Sequence, residues 1–128
     1  MLYYIARRIE TGFDDAVSRV TAALKNEGFG VLTDIDVAAT LKGKIGVEFR
    51  PYRILGACNP SLAHKALSAE DKVGVMLPCN VIVQAIEGGT TEIAAIDPRA
   101  AMERIGNPAL SALATEVAER LTRAIDAA

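Results

Sequence analysis

The 128-residue chain is poor in the side chains that most often build an active site. It has one histidine, two cysteines and no tryptophan, and aromatic residues make up 5% of it. Two cysteines are too few for a disulfide framework, and no Cys-x-x-Cys or paired-histidine motif occurs. No Ser-His-Asp or Cys-His-Asn arrangement is suggested either. So few aromatic rings leave little surface on which bases or sugars could stack.

The chain also lacks an excess of charge and a long apolar run. Lys and Arg number 14 and Asp and Glu 16, so the net charge is -2. Nucleic-acid binding needs clustered positive charge, and we therefore expect no nucleic-acid partner. No apolar run approaches the ~20 residues of a membrane span, and the N-terminus lacks a signal-peptide pattern. We expect a cytoplasmic protein with reduced thiols and no membrane partner.

What the sequence does contain is the pattern of one α+β domain spanning residues 1–128. Hydrophobic residues make up 51%, enough for a packed core at this length. The predicted strands cover 2–9, 30–35, 49–58, 75–87 and 90–96. Long helices follow the first strand and end the chain, and smaller helices are inserted in the connections. Strand, helix, four strands and a final helix indicate a mostly antiparallel sheet.

The central strands carry apolar residues at consecutive positions. Ile54 stands beside Leu55, and the next strand contains the run 81–83, Val-Ile-Val. A sheet with helices on one side only should alternate apolar and polar residues more cleanly. We therefore expect the second face to be covered. A second subunit would cover it in a homodimer, and inserted helices are the alternative.

The two central strands also carry the best candidate site. One ends at Cys58-Asn59 and the other begins at Cys79-Asn80. If these strands are antiparallel neighbours, both pairs lie at the same end of the sheet. We interpret this end as a binding site for a small ligand or a protein partner.

A thiol-dependent redox or metal-handling site is the alternative interpretation. It would use Cys58 and Cys79, with His64 as a third metal ligand. Cys58 precedes a helix start, where the helix dipole can stabilise a thiolate. Against this, the spacing matches no known zinc motif, and buried free cysteines usually act as small apolar residues. By default we therefore predict no metal site.

Polar residues elsewhere offer two weaker hypotheses. Asp36 and Lys42 could line a ligand pocket, although helix capping and solvation explain both. Arg53 could reach Asn80 and Gln84 on the neighbouring strand and bind an anionic ligand, or it could lie at a solvated edge.

Four segments resemble the hallmark sequences of the domain-of-unknown-function family 302. They are residues 30–42 (GVLTDIDVAATLK), 52–60 (YRILGACNP), 77–81 (LPCNV) and 97–98 (DP). The resemblance implies a compact TATA-binding-protein-like α+β fold and a dimer. It implies no activity or cofactor, so both stay unknown, as does whether the protein is an enzyme. Gly43 departs from the family pattern, which more usually has a charged residue there.

Overall fold

The computed structural model describes residues 2–128 and contains five strands and five α-helices within them. The strands are β1 (Tyr4–Ile9), β2 (Gly30–Asp36), β3 (Tyr52–Cys58), β4 (Cys79–Ala85) and β5 (Thr91–Ile96). The helices are α1 (Phe13–Asn26), α2 (Val37–Ile45), α3 (Pro60–Ala69), α4 (Pro98–Met102) and α5 (Pro108–Ala127). The predicted α+β order, with small helices inserted between strands, is confirmed.

Four predicted strands are shorter in the structure than in the sequence-based prediction, and β4 and β3 differ the most. β4 begins at Cys79 because Asp71–Met76 form a 3₁₀-helix, which Leu77 closes by donating to the Gly74 carbonyl at 3.2 Å. β3 begins at Tyr52 rather than near residue 49. Pro51 has no N–H for the ladder, although its carbonyl still accepts from the Ala85 amide at 3.0 Å.

Three helices begin with the same local device, an Asn or Asp followed by proline. The side chains of Asn59, Asp97 and Asn107 each accept a hydrogen bond from a backbone N–H in the first turn, at 3.0–3.2 Å. Proline suits the next position because that N–H would have no partner in a helix. These starts are decided locally, and the sequence predicts all three.

The sheet has the strand order β1-β5-β4-β3-β2, and every neighbouring pair is antiparallel. One face packs against α1 and α5. The core between them contains alternate residues of the strands, among them Leu55, Val81, Val83 and Ile93, all nearly inaccessible to solvent. A second apolar cluster joins α3, α4 and α5 beside this core.

The other side of the sheet, called the open face below, carries no helix of the described chain. The β-ladders align one apolar row across all five strands: Ile35, Ile54, Ile82, Ala94 and Ala6. A neighbouring row is polar at its centre: Tyr52, Gln84, Glu92 and Arg8. Ile35 is 48% exposed. Within residues 2–128, the expectation that inserted helices cover this face is wrong, because they pack on the other side or beyond the strand ends.

The longest helix, α5, has 20 residues and carries charges along one side. Within residues 2–128, none of the helices combines the length and the apolar character that a bilayer span requires.

Candidate functional site

Cys58 and Cys79 lie at the same end of the sheet, as the sequence predicts if β3 and β4 are neighbours. Cys79 pairs with Ala57 in the β3–β4 ladder, and Cys58 is the next residue, where the chain turns into α3. Cys79 is only 8% exposed, Cys58 is half-buried, and both are free thiols.

The two thiols line one narrow cavity, called the cleft below, between the sheet end and the helices α3, α4 and α5. Its volume is about 40 Å³. The side chains that define its shape include Phe29, Cys58, Leu62, Cys79, Met102 and Leu113. Because a water-sized sphere takes about 10–15 Å³, the cleft accommodates a ligand of only a few atoms.

The lining of the cleft is apolar except for sulfur atoms and one amide. That amide, Asn59, is already engaged, since its oxygen accepts from the Leu62 N–H as the cap of α3. The opposite side of Asn59 faces Gly28, where an added Cβ would lie 2.8 Å from the amide nitrogen. Among residues 2–128, no carboxylate, amine or imidazole side chain lines the cleft. Its chemistry is therefore that of aliphatic groups and soft sulfur.

Burial decides the protonation of the inner thiol. Loss of solvent, with a smaller contribution from neighbouring Cys58, raises the pKa of Cys79 to about 11. Cys79 is therefore protonated and a poor nucleophile at neutral pH. This environment does not favour redox chemistry that begins with attack by Cys79.

His64 does not belong to the cleft. It is exposed to solvent on the outer side of α3. Among residues 2–128, no three His, Cys, Asp or Glu side chains are grouped so that they could hold a metal ion. Met102, which was not among the residues predicted from the sequence, lines the cleft from α4 and is 9% exposed. The only sequence feature that helps to place Met102 is the Asp97-Pro98 start of α4. It does not indicate which residues Met102 packs against.

Asn80 is separated from the two cysteines despite following Cys79 in sequence. Successive strand residues point to opposite faces, so Asn80 lies exposed on the open face while Cys79 points into the core. There Asn80 borders a shallow groove with Ile82 and Gln84. The four residues proposed as one site therefore divide, with Cys58, Asn59 and Cys79 on one side and Asn80 on the other.

The remaining candidates form local pairs. Asp36 caps α2 by accepting from the Ala39 N–H at 2.9 Å, and Lys42 pairs with Glu48 on the surface. These two residues therefore meet different partners, and the structure does not bring them together in one pocket.

Arg53 points to the helix side of β3, away from Asn80. Its guanidinium donates to both carboxylate oxygens of Asp34, with Nε 2.8 Å from Oδ1. This hydrogen bonding holds the pKa of Asp34 below its usual value. Gln84 instead contacts Arg50 and Glu92. An anion site shared by Arg53, Asn80 and Gln84 is not formed.

Comparison with known proteins is consistent with this architecture. No curated protein shows significant similarity to the chain. A solved structure described as that of an uncharacterized conserved protein DUF302 from Bacillus stearothermophilus superposes with a TM-score of 0.92. The two sequences are 33% identical, and the similarity covers 98% of each chain. The family model described as "Domain of unknown function DUF302" matches residues 5–128, and the chain therefore belongs to the DUF302 family.

Proposed function

We propose that the protein is a homodimer that pairs through the open face and binds a ligand of a few atoms in the cleft of each subunit. The proposal of a dimer is supported by the apolar row across the open face of the sheet. The proposal of a ligand is supported by the sulfur-lined cleft between the end of the sheet and the helices.

The size of the open face suits a specific interface. Five strands spaced ~4.8 Å apart, with about six residues each, present an area of about 20 Å by 24 Å. Two such faces together amount to about 1,000 Å², the lower limit for a stable protein–protein contact. The sheet-on-sheet geometry is a common way to bury two apolar faces. A second copy is therefore an occupant of matching size and chemistry.

Four polar side chains of the open face contact one another: Arg50, Gln84, Glu92 and Arg8. Arg50 Nε lies 2.9 Å from Gln84 Oε1, and Gln84 Nε2 lies 2.8 Å from Glu92 Oε1. Arg8 approaches Glu92 at 3.7 Å. Burying a polar group costs most when it has no partner. This chain of contacts therefore lowers the cost of burying the face in a dimer.

Ile82 gives a direct test, because β4 is the central strand and Ile82 is its middle residue. Ile82→Lys places a charge in the centre of the proposed interface. We expect a dimer for the wild type and a monomer for Ile82→Lys in light scattering at micromolar concentration. Val75→Lys is the matched control, since Val75 is 89% exposed outside the sheet, and it should stay dimeric. A monomeric wild type would contradict the dimer.

For the cleft, xenon is a suitable probe because it enters small apolar cavities. We expect xenon to shift the NMR signals of Leu62 and Leu113. Ala63→Leu should abolish the shift, since Ala63 lines the cleft and is half-buried on α3. Ala112→Leu, at an exposed position of α5, should leave the shift unchanged. Unperturbed signals in the wild type would contradict a ligand cleft.

One observation supports the alternative, a thiol-dependent redox or metal-handling protein. Cys58 and Cys79 line the same cavity. The raised pKa of Cys79 opposes a redox role, because the thiolate is the attacking species. The raised pKa opposes metal binding less, because a bound cation itself promotes deprotonation of the thiol that coordinates it.

A further inference from the structure

We propose that the cleft binds one Cu(I) ion through the sulfur atoms of Cys58, Cys79 and Met102. The inference rests on the proposed function, because it names the chemical class of the ligand that the same cleft would take. It replaces His64, the third ligand considered from the sequence, with the thioether of Met102, which lines the same cleft as the two thiols.

The donor set argues for copper in its reduced state. Thiolate and thioether sulfurs are soft ligands and favour Cu(I), whereas Mg²⁺, Ca²⁺ and Mn²⁺ prefer oxygen. A structural zinc site needs four ligands, usually Cys and His. The cleft offers two cysteines and no histidine, and its one other polar side chain is the capping amide of Asn59.

The surroundings fit an ion that is bound without water. The cleft holds only a few atoms and is bounded by Phe29, Leu62 and Leu113. Apart from the Asn59 amide, this lining offers no hard oxygen or nitrogen ligand of the kind that favours Cu(II). The sulfur of methionine is flexible and polarisable, so Met102 can adjust to an ion.

Cu(I) displaces one proton from each of the two thiols, and both protons pass to solvent. The resulting copper dithiolate carries one negative charge, with the Met102 sulfur as a neutral third ligand. The ten-residue helix α3 begins just after Cys58, and the positive end of its dipole stabilises negative charge there.

The test is an anaerobic titration of the full chain with Cu(I) in competition with the chromophoric chelator bicinchoninate. We expect one Cu(I) per chain and an ultraviolet thiolate-to-copper charge-transfer band. Cys58→Ala and Cys79→Ala should remove this binding. Met102→Leu, which keeps the apolar volume, should weaken it about tenfold or more, because loss of a direct ligand should cost at least as much as the change of an outer-shell partner.

Met76→Leu is the matched control, since Met76 is 37% exposed outside the cleft, and its affinity should equal that of the wild type. His64→Ala should also bind normally. Circular dichroism checks that each variant is folded, and Met102→Leu keeps the test decisive if Cys79→Ala does not fold.

Two results would overturn the assignment. One is the absence of competition with the chelator. The other is binding that needs Cys58 but is unchanged in Cys79→Ala and Met102→Leu, which indicates a surface thiol only. If xenon enters the cleft while Cu(I) does not bind, the copper assignment fails and the ligand cleft stands.

Discussion

Cys79 lies directly opposite Ala57 in the β3–β4 ladder, one residue before Cys58. This register brings two cysteines that are 21 positions apart in sequence to one cleft. It also gives them different environments, because Cys79 points into the core while Cys58 stands at the turn into α3.

The first prediction concerns the reactivity of the thiols. At pH 8, iodoacetamide should modify Cys58 well before Cys79, because Cys79 is buried and its pKa is raised to about 11. Mass spectrometry of tryptic peptides over time measures both rates. In denaturant the two rates should become similar. Faster modification of Cys79 in the folded protein would contradict the burial described above.

The second prediction concerns stability at alkaline pH. The ordinary pKa of a cysteine thiol is 9.0, and folding raises that of Cys79 to about 11. As pH rises from 9 to 11, the unfolded chain loses this proton and the folded chain keeps it, so the free energy of unfolding falls. Urea unfolding at both pH values should show a smaller fall in Cys79→Ala than in the wild type. An equal fall in both proteins would exclude Cys79 as the cause.

The third prediction concerns Gly56 in β3. A Cβ added there would lie 2.7 Å from Pro78 Cγ and would also overlap Thr33 Oγ1. Because the proline ring cannot rotate away, Gly56→Ala should lower the free energy of unfolding by about 1–3 kcal/mol. Gly30→Ala is the control, since nothing lies within 4 Å of its added Cβ. Urea denaturation of both variants checks the contrast, and equal stabilities would be evidence against it.

The fourth prediction concerns Asp97, a buried carboxylate that caps α4. It accepts from the Arg99 backbone N–H at 3.0 Å and from the guanidinium at 2.8 and 3.0 Å. These hydrogen bonds hold its pKa below the ordinary value of 3.8. Asp97→Ala should lower stability by about 1 kcal/mol, the usual contribution of a cap. Asp97→Asn should lose less, because asparagine also caps.

The contribution of Asp97 to stability should decrease as the pH falls. With the folded pKa depressed, the stabilisation by ionised Asp97 is complete above about pH 4 to 5 and is lost as pH falls through the folded pKa. Acid titration of the unfolding midpoint should therefore show a shallower loss in Asp97→Asn than in the wild type. Parallel curves would show that Asp97 does not contribute to acid unfolding.

The local features of the fold could be read from the sequence because neighbouring residues decide them. Asn59-Pro60 and Asp97-Pro98 favour helix starts through the capping side chain and the proline at the first helical position. The apolar run 81–83, rich in β-branched residues, favours a strand. The ends of the strands were predicted less accurately. The residues before Cys79 were expected to be extended, but they form a 3₁₀-helix, which a short turn of local hydrogen bonds stabilises.

The composition of the candidate site was predicted only in part. The meeting of Cys58 and Cys79 follows from the pairing of consecutive antiparallel strands, which the sequence suggests. Asn80 lies outside the cleft because side chains alternate between the two faces along β4. The prediction grouped Asn80 with Cys79 by their adjacent positions and did not take this alternation into account. His64 was considered because its residue type binds metals, but the helix carries it to solvent.

The amino-acid sequence by itself determined the order of strands and helices and the helix caps, because these depend on propensities and short-range hydrogen bonds. The pairing of β3 with β4 remained a condition of the prediction, because its hydrogen bonds join residues far apart in sequence. Only the tertiary structure decided that the helices gather on one face, that Ile54 and Ile82 lie on the other, and that Met102 lines the same cleft as the two thiols. Those outcomes depend on how α4 and α5 pack against the sheet. Contacts between residues so distant in sequence are selected by the shape of the whole core, which no local pattern encodes.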